Sequence, residues 1–192
     1  MIKGKLLKIL NGIQMRELSG DEIQKQLGYQ PVLYEDLANM NTIDDLLNRG
    51  NGISVILLYQ NTRYSGHYTL IYKTNLNGQD GETIRFFDPY GMKYDHELQY
   101  LSMSQPAHLT RLLTGRKVVC NLIPLQKYGN KIQDCGTHCI TRLLFRHLSN
   151  EEYERLLKEN EQVINADQIV LLMNLLTIYY EDISPELKTV LQ

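Results

Sequence analysis

The chain has 192 residues, 43% of them hydrophobic, and a formal net charge of -2, with a mass of 22.3 kDa and a pI near 6.2. That length suits one domain with a substantial core, and the scattered Lys and Arg give no basic field for nucleic acid as an obligatory partner. The longest apolar stretches, such as Ile53 to Tyr59 and Ile169 to Leu176, fall far short of the roughly 20 residues a bilayer span takes.

Met1 to Leu10 starts basic but breaks its apolar run at Lys8. It does not read as a secretory signal, so a virion interior or the cytosol is the expected location. Three cysteines without framework spacing agree with reduced thiols rather than a disulfide scaffold. A single domain over 1–192 is expected, with a helical N-terminal part (1–51), a core (53–147) and C-terminal helices (150–192).

In chain order, Leu18-Ser19-Gly20-Asp21-Glu22-Ile23 supplies a cap residue and early carboxylates, predicting a short amphipathic helix ended by Gly28 and Pro31. A second starts near Asn41-Thr42, turns Ile43, Leu46 and Leu47 inward, and stops at Arg49-Gly50-Asn51-Gly52. Helices are thus expected first and the sheet after them. Ile53 to Tyr59 reads as a central strand buried on both faces. His67 to Tyr72 alternates as a second strand, Asn75 to Glu82 is a hairpin loop, and Thr83 to Phe87 returns as a third strand. That alternation sets His67 and Asp88 at the same edge of adjacent antiparallel strands.

Tyr94 to Leu101 and Pro106 to Leu113 are expected to be helical, and Lys117 to Pro124 to be a fourth strand leading into a loop from Leu125 to Gln133. From Cys135 on, Ile140, Leu143, Leu144 and His147 recur at helical spacing. Further helices are predicted near Asn150 to Asn160 and Ala166 to Asp182. The fold class is α+β, a central mixed or antiparallel sheet flanked by helices, with the helix that opens at Cys135 crossing behind it.

Gln133-Asp134-Cys135-Gly136-Thr137-His138-Cys139 follows Gly66-His67-Tyr68 and Phe87-Asp88-Pro89-Tyr90-Gly91. Together they supply a thiol at a helix start, where unpaired N–H groups and the dipole favour an anion, an imidazole to take its proton, and a carboxylate to orient that imidazole. Gly136 would let substrate and backbone approach closely, and Tyr68 would stack on the substrate backbone; both are expected to bind substrate. Cys139, one turn deeper, reads as a core residue. His138 with Cys120, Cys135 and Cys139 lacks the spacing of a zinc site, so no metal is expected. Asn75-Leu76-Asn77-Gly78 has no phosphate-binding signature, and no cofactor is called for.

The order His67, Asp88, Cys135, with Asp-Cys-Gly at the thiol and Asp-Pro after a strand, resembles the adenain and ubiquitin-like-protein protease clan of cysteine peptidases. The resemblance covers Ile53 to His147. It implies an adenain-like architecture, Cys135 as nucleophile, His67 as base, Asp88 as orienter and a Gln before the Cys as oxyanion donor. Gln133 is preferred for proximity, with Gln126, in Ile123-Pro124-Leu125-Gln126, as the alternative. The clan's usual Trp after the histidine is here Tyr68, a departure that bears on recognition of a ubiquitin-like tail.

The small size and Gly-His-Tyr spelling look most like capsid-maturation proteases of double-stranded DNA viruses and virophages. A polypeptide partner, a capsid precursor cut after small residues such as Gly, is thereby implied, as is a narrow channel at Cys135. The alternatives are a deconjugating protease for a ubiquitin-like modifier, an acetyltransferase of the bacterial-effector type, and a binding module that keeps the fold with an unreactive Cys135.

Overall fold

Strand alternation sorts the apolar residues into two cores on opposite faces of one five-stranded sheet. The computed structural model describes residues 18–62, 65–74, 82–101, 104–128, 133–159 and 164–177. Its strands β1 (Val32–Leu33), β2 (Ser54–Thr62), β3 (Ser65–Thr74), β4 (Thr83–Phe87) and β5 (Val118–Cys120) lie side by side in sequence order. The β2/β3 and β3/β4 pairs are antiparallel, while β1/β2 and β4/β5 are parallel. The sheet is therefore mixed, and the fold is α+β.

Ile56, Leu70, Tyr72 and Phe87 face a core built with residues of helices α1 (Gly20–Leu27), α4 (Cys135–Leu144), α5 (Asn150–Lys158) and α6 (Ala166–Thr177). Val55, Leu57, Ile71, Ile84 and Phe86 face the other, closed by a 3-10 helix at Tyr34–Asn39 and by α2 (Ile43–Leu47) and α3 (His108–Leu112). Because β2 is central, both of its faces are buried from Ser54 to Leu57.

The helix starts follow from local chemistry. Ser19 with Glu22, Thr42 with Asp45 and Ser149 with Glu152 each form a reciprocal capping box, which satisfies two otherwise orphaned N–H groups. At the far end of α4, Arg142 is fully buried between the rings of Tyr72 and Tyr153. It donates to Phe145 O at 2.7 Å and Leu148 O at 2.9 Å, carbonyls that follow the helix, while its Nε has no hydrogen-bond partner.

Several expectations are corrected. The helices do not all precede the sheet, because Val32 and Leu33 pair in parallel with Leu57 and Leu58; a two-residue strand carries no periodicity to read. Tyr94 to Leu101 is reduced to a 3-10 helix over His96–Tyr100, and Pro106 to Leu113 to α3. The expected fourth strand is the fifth and holds only three residues, since Asn121 turns away to Asp88 and the next segment is drawn onto Pro89 O by Leu125 N and Gln126 N at 2.9 and 3.0 Å. The hairpin loop from 75 to 81, residues 129–132, the end of the helix expected to Asn160 and the stretch from 178 to 182 lie outside the described residues. Among those described, no helix is long and apolar enough to cross a membrane.

Candidate functional site

Register positions the first pair. Leu70 pairs with Phe87 across β3 and β4, so one further step sets Asp88 opposite Thr69 and diagonal to His67. His67 Nε2 lies 3.1 Å from Asp88 Oδ1, and the two residues are 8% and 0% exposed. Asp88 is itself fixed: its N–H donates to Asn121 Oδ1 at 2.8 Å, its carbonyl accepts from Asn121 Nδ2 at 2.6 Å, and Oδ1 accepts from Tyr90 N at 2.7 Å.

Cys135 is the first residue of α4 and is 5% exposed, on a helix that packs against β3. Asp88 occupies Nε2 of His67, which leaves Nδ1 as the ring nitrogen for the thiol. Burial disfavours a charged His67, but the hydrogen bonds with Asp88 and Cys135 and the charges of both hold its pKa well above the usual histidine range. The imidazolium is thus the favoured form between the two partners. Cys139 sits in the opposite situation. It is fully buried, its Sγ faces Tyr68 O at 3.4 Å, and burial pushes its thiol far up.

A ring ladder runs outward from the imidazole. Tyr90 stacks on His67 at 4.8 Å and 17°, and Tyr128, 64% exposed, stacks on Tyr90 at 4.5 Å and 12°. Gln126 is buried and donates from Nε2 to Tyr90 Oη at 3.3 Å, while its Oε1 has no hydrogen-bond partner. The turn after Asp88 and the segment before Gln126 touch at Gly91. It has φ +73, and a Cβ there would come 2.6 Å from Ile123 C and 2.7 Å from Pro124 N. Glycine is required at this contact.

The structure thus brings His67, Asp88, Cys135 and Gln126 into one neighbourhood. Gln133 is exposed, two residues ahead of Cys135. Tyr68 and Gly136 form a packed layer under α1: Tyr68 is 4% exposed, and a Cβ on Gly136 would meet Leu18 Cβ and Tyr68 Cδ2 at 3.3 Å. Both residues are thus buried where Leu18 and, from α1, Ile23 pack on the start of α4.

Sequence reasoning missed Tyr90, Asn121 and Glu97. Glu97 is 6% exposed, and its Oε1 lies 3.8 Å from His67 Nε2. A second buried cluster was also missed: His138 Nε2 lies 3.0 Å from Asp167 Oδ1 and 4.0 Å from Asp134 Oδ1. Burial, with Asp167 nearby, pushes the Asp134 carboxyl up to about 6, although His138 pulls the other way. The donor atoms of His67, Asp88 and Glu97, and those of Asp134, His138 and Asp167, each lie within 4.8 Å of one another, close enough to hold a metal ion. In each cluster one carboxylate oxygen also accepts a backbone N–H, Asp88 Oδ1 from Tyr90 N and Asp167 Oδ1 from Lys127 N.

These features define an α+β protein with a buried imidazole–carboxylate pair and a cysteine at a helix start beside it. No family model matches the chain. Over 133 residues it is 32% identical to the uncharacterized protein V9 of Sputnik virophage, a match that covers 65% of this chain and 72% of that protein. The chain belongs to the same family as this virophage protein.

Proposed function

We propose that the chain is a cysteine endopeptidase of adenain-like architecture that cleaves viral capsid precursors after small residues such as Gly. The observation that carries the reading is the His67 Nε2 to Asp88 Oδ1 bond of 3.1 Å, with Cys135 of α4 on the other side of the same imidazole. An imidazole held between a carboxylate and a thiol is what a thiolate nucleophile needs.

In this mechanism the Cys135 thiolate attacks the scissile carbonyl carbon. His67 gives its proton to the departing amine as the tetrahedral intermediate collapses to a thioester. Water then enters, His67 takes one of its protons, the hydroxide equivalent attacks the thioester, and the carboxylic acid product leaves with the thiolate restored. Asp88 keeps the ring oriented and its cation stabilised throughout. The Cys135 N–H and one glutamine amide hold the oxyanion. The burial of Gln126, its bond to Tyr90 and the stacking of Tyr90 on His67 favour Gln126 for that role, while Gln133 lies in solvent.

The 5% exposure of Cys135 supports a narrow approach, which glycine backbone enters and larger side chains do not. The virophage relative agrees with a viral setting. Incubation of the protein with the capsid proteins of its virus, with Cys135→Ala as control, tests the reading. Cleavage at a Gly-containing site that the variant loses supports it. Cleavage only of ubiquitin-like modifier fusions, or acetyl transfer to a test protein, would replace it.

A further inference from the structure

The His67–Asp88 pair has a second acid beside it. Glu97 is the buried residue of the 3-10 helix His96–Tyr100, and its Oε1 reaches to 3.8 Å from His67 Nε2. Asp88 Oδ1 is taken by His67 and Tyr90 N. Its Oδ2, like Glu97 Oε1, is buried with no hydrogen-bond partner. Two carboxyls packed side by side with one imidazole do not both ionise at ordinary cost. A proton kept by one of them satisfies both oxygens.

We propose that Glu97 is a positioning residue for the Cys135–His67–Asp88 site, holding a carboxyl proton toward Asp88 so that Asp88 stays the anion that faces His67. The inference rests on the peptidase reading. Burial pushes the Glu97 carboxyl up to about 7, His67 pulls it down, and Asp88 raises it again through its charge and its capacity to take the proton. The titratable groups facing it are His67 on β3, Asp88 and Tyr90 after β4, and Tyr128 before the stretch that leads to α4. Among the described residues the cation facing it is His67.

Below neutral pH the acid form of Glu97 donates to Asp88. Above it Glu97 ionises and sets a second negative charge near His67, which then keeps its proton to higher pH. The amide introduced by E97Q would reproduce the donor at every pH and could never supply that charge.

The test is the iodoacetamide labelling rate of Cys135 against pH, with NMR titration of the His67 ring, in the parent, E97Q, E97A and H67A, each checked for a native circular dichroism spectrum. The expected result is an inflection near pH 7 in the parent that disappears in E97Q, with the E97Q rate at pH 6 within about threefold of the parent and His67 releasing its proton at lower pH. E97A is expected to label about tenfold more slowly, as a lost proton-bearing partner of this kind would dictate. Rates and profiles of E97Q and E97A that both match the parent, while H67A abolishes fast labelling, overturn the inference alone. An equal loss in the two natively folded variants does the same. Slow labelling of Cys135 in parent and H67A alike overturns both the inference and the peptidase reading.

Discussion

Asp88 binds His67 through Nε2, at 3.1 Å from Oδ1, so the imidazole is held from the side opposite to the one that Cys135 uses. Asn121 clamps the backbone of Asp88 on both its N–H and its carbonyl. Orientation of the ring therefore depends on a residue 33 positions away in sequence.

Two substitutions separate the carboxylate from its clamp. Asp88→Asn is expected to lower kcat/KM by at least about 100-fold, because the amide neither stabilises the imidazolium nor fixes its tautomer. Asn121→Ala leaves the carboxylate in place but frees two buried backbone groups, so it is expected to cost about 1–3 kcal/mol of stability with a smaller loss of rate. Steady-state kinetics on a cleaved peptide and urea unfolding of both variants check this.

The oxyanion role is divided by two glutamine variants. Gln126→Ala is expected to reduce kcat by about 100-fold or more, whereas Gln133→Ala stays within about threefold. The reverse pattern would assign the role to Gln133.

Gly91 is where the Asp88 turn meets the Gln126 segment. Gly91→Ala forces a Cβ to 2.6 Å from Ile123 C at φ +73, and a stability loss above about 2 kcal/mol is expected. Thermal unfolding reads it.

Much of this was legible beforehand because it is local. The capping residues before α1 and α2, the Gly28 stop and the two-sided burial of β2 follow from spacing and side-chain chemistry. His67, Asp88 and Cys135 were legible through their neighbours in sequence. The rest is tertiary: Val32–Leu33 becomes a strand only because Leu57 and Leu58 offer it a partner, and Glu97 is buried by an element whose sequence, HELQY, looks solvent-facing. Gln133 was favoured by nearness in sequence, but a loop that returns to Pro89 carries Gln126 inward instead. Gly136 is closely approached by Leu18, Tyr68 and Ile23, neighbours that only the tertiary fold supplies.

Asp134 makes stability depend on pH. Its folded carboxyl is raised from 3.8 to about 6, so the folded state binds the extra proton between those values. Its contribution is fully present below about pH 4 and is lost as pH rises through about 6, a change on the order of 3 kcal/mol. Asp134→Asn should therefore gain on the parent by about that amount from pH 4 to pH 7. Guanidinium unfolding of both proteins at the two pH values measures the difference, and a constant offset would show that Asp134 does not titrate in this range.

The pairing of Cys135 with His67 is most directly tested by iodoacetamide labelling of each cysteine at pH 6, read by peptide mass spectrometry in the parent and in His67→Ala. Fast labelling confined to Cys135 and lost in the variant is the predicted result. Equal, slow labelling of Cys120, Cys135 and Cys139 in both proteins would contradict the thiolate–imidazolium pair and leave the chain a binding module.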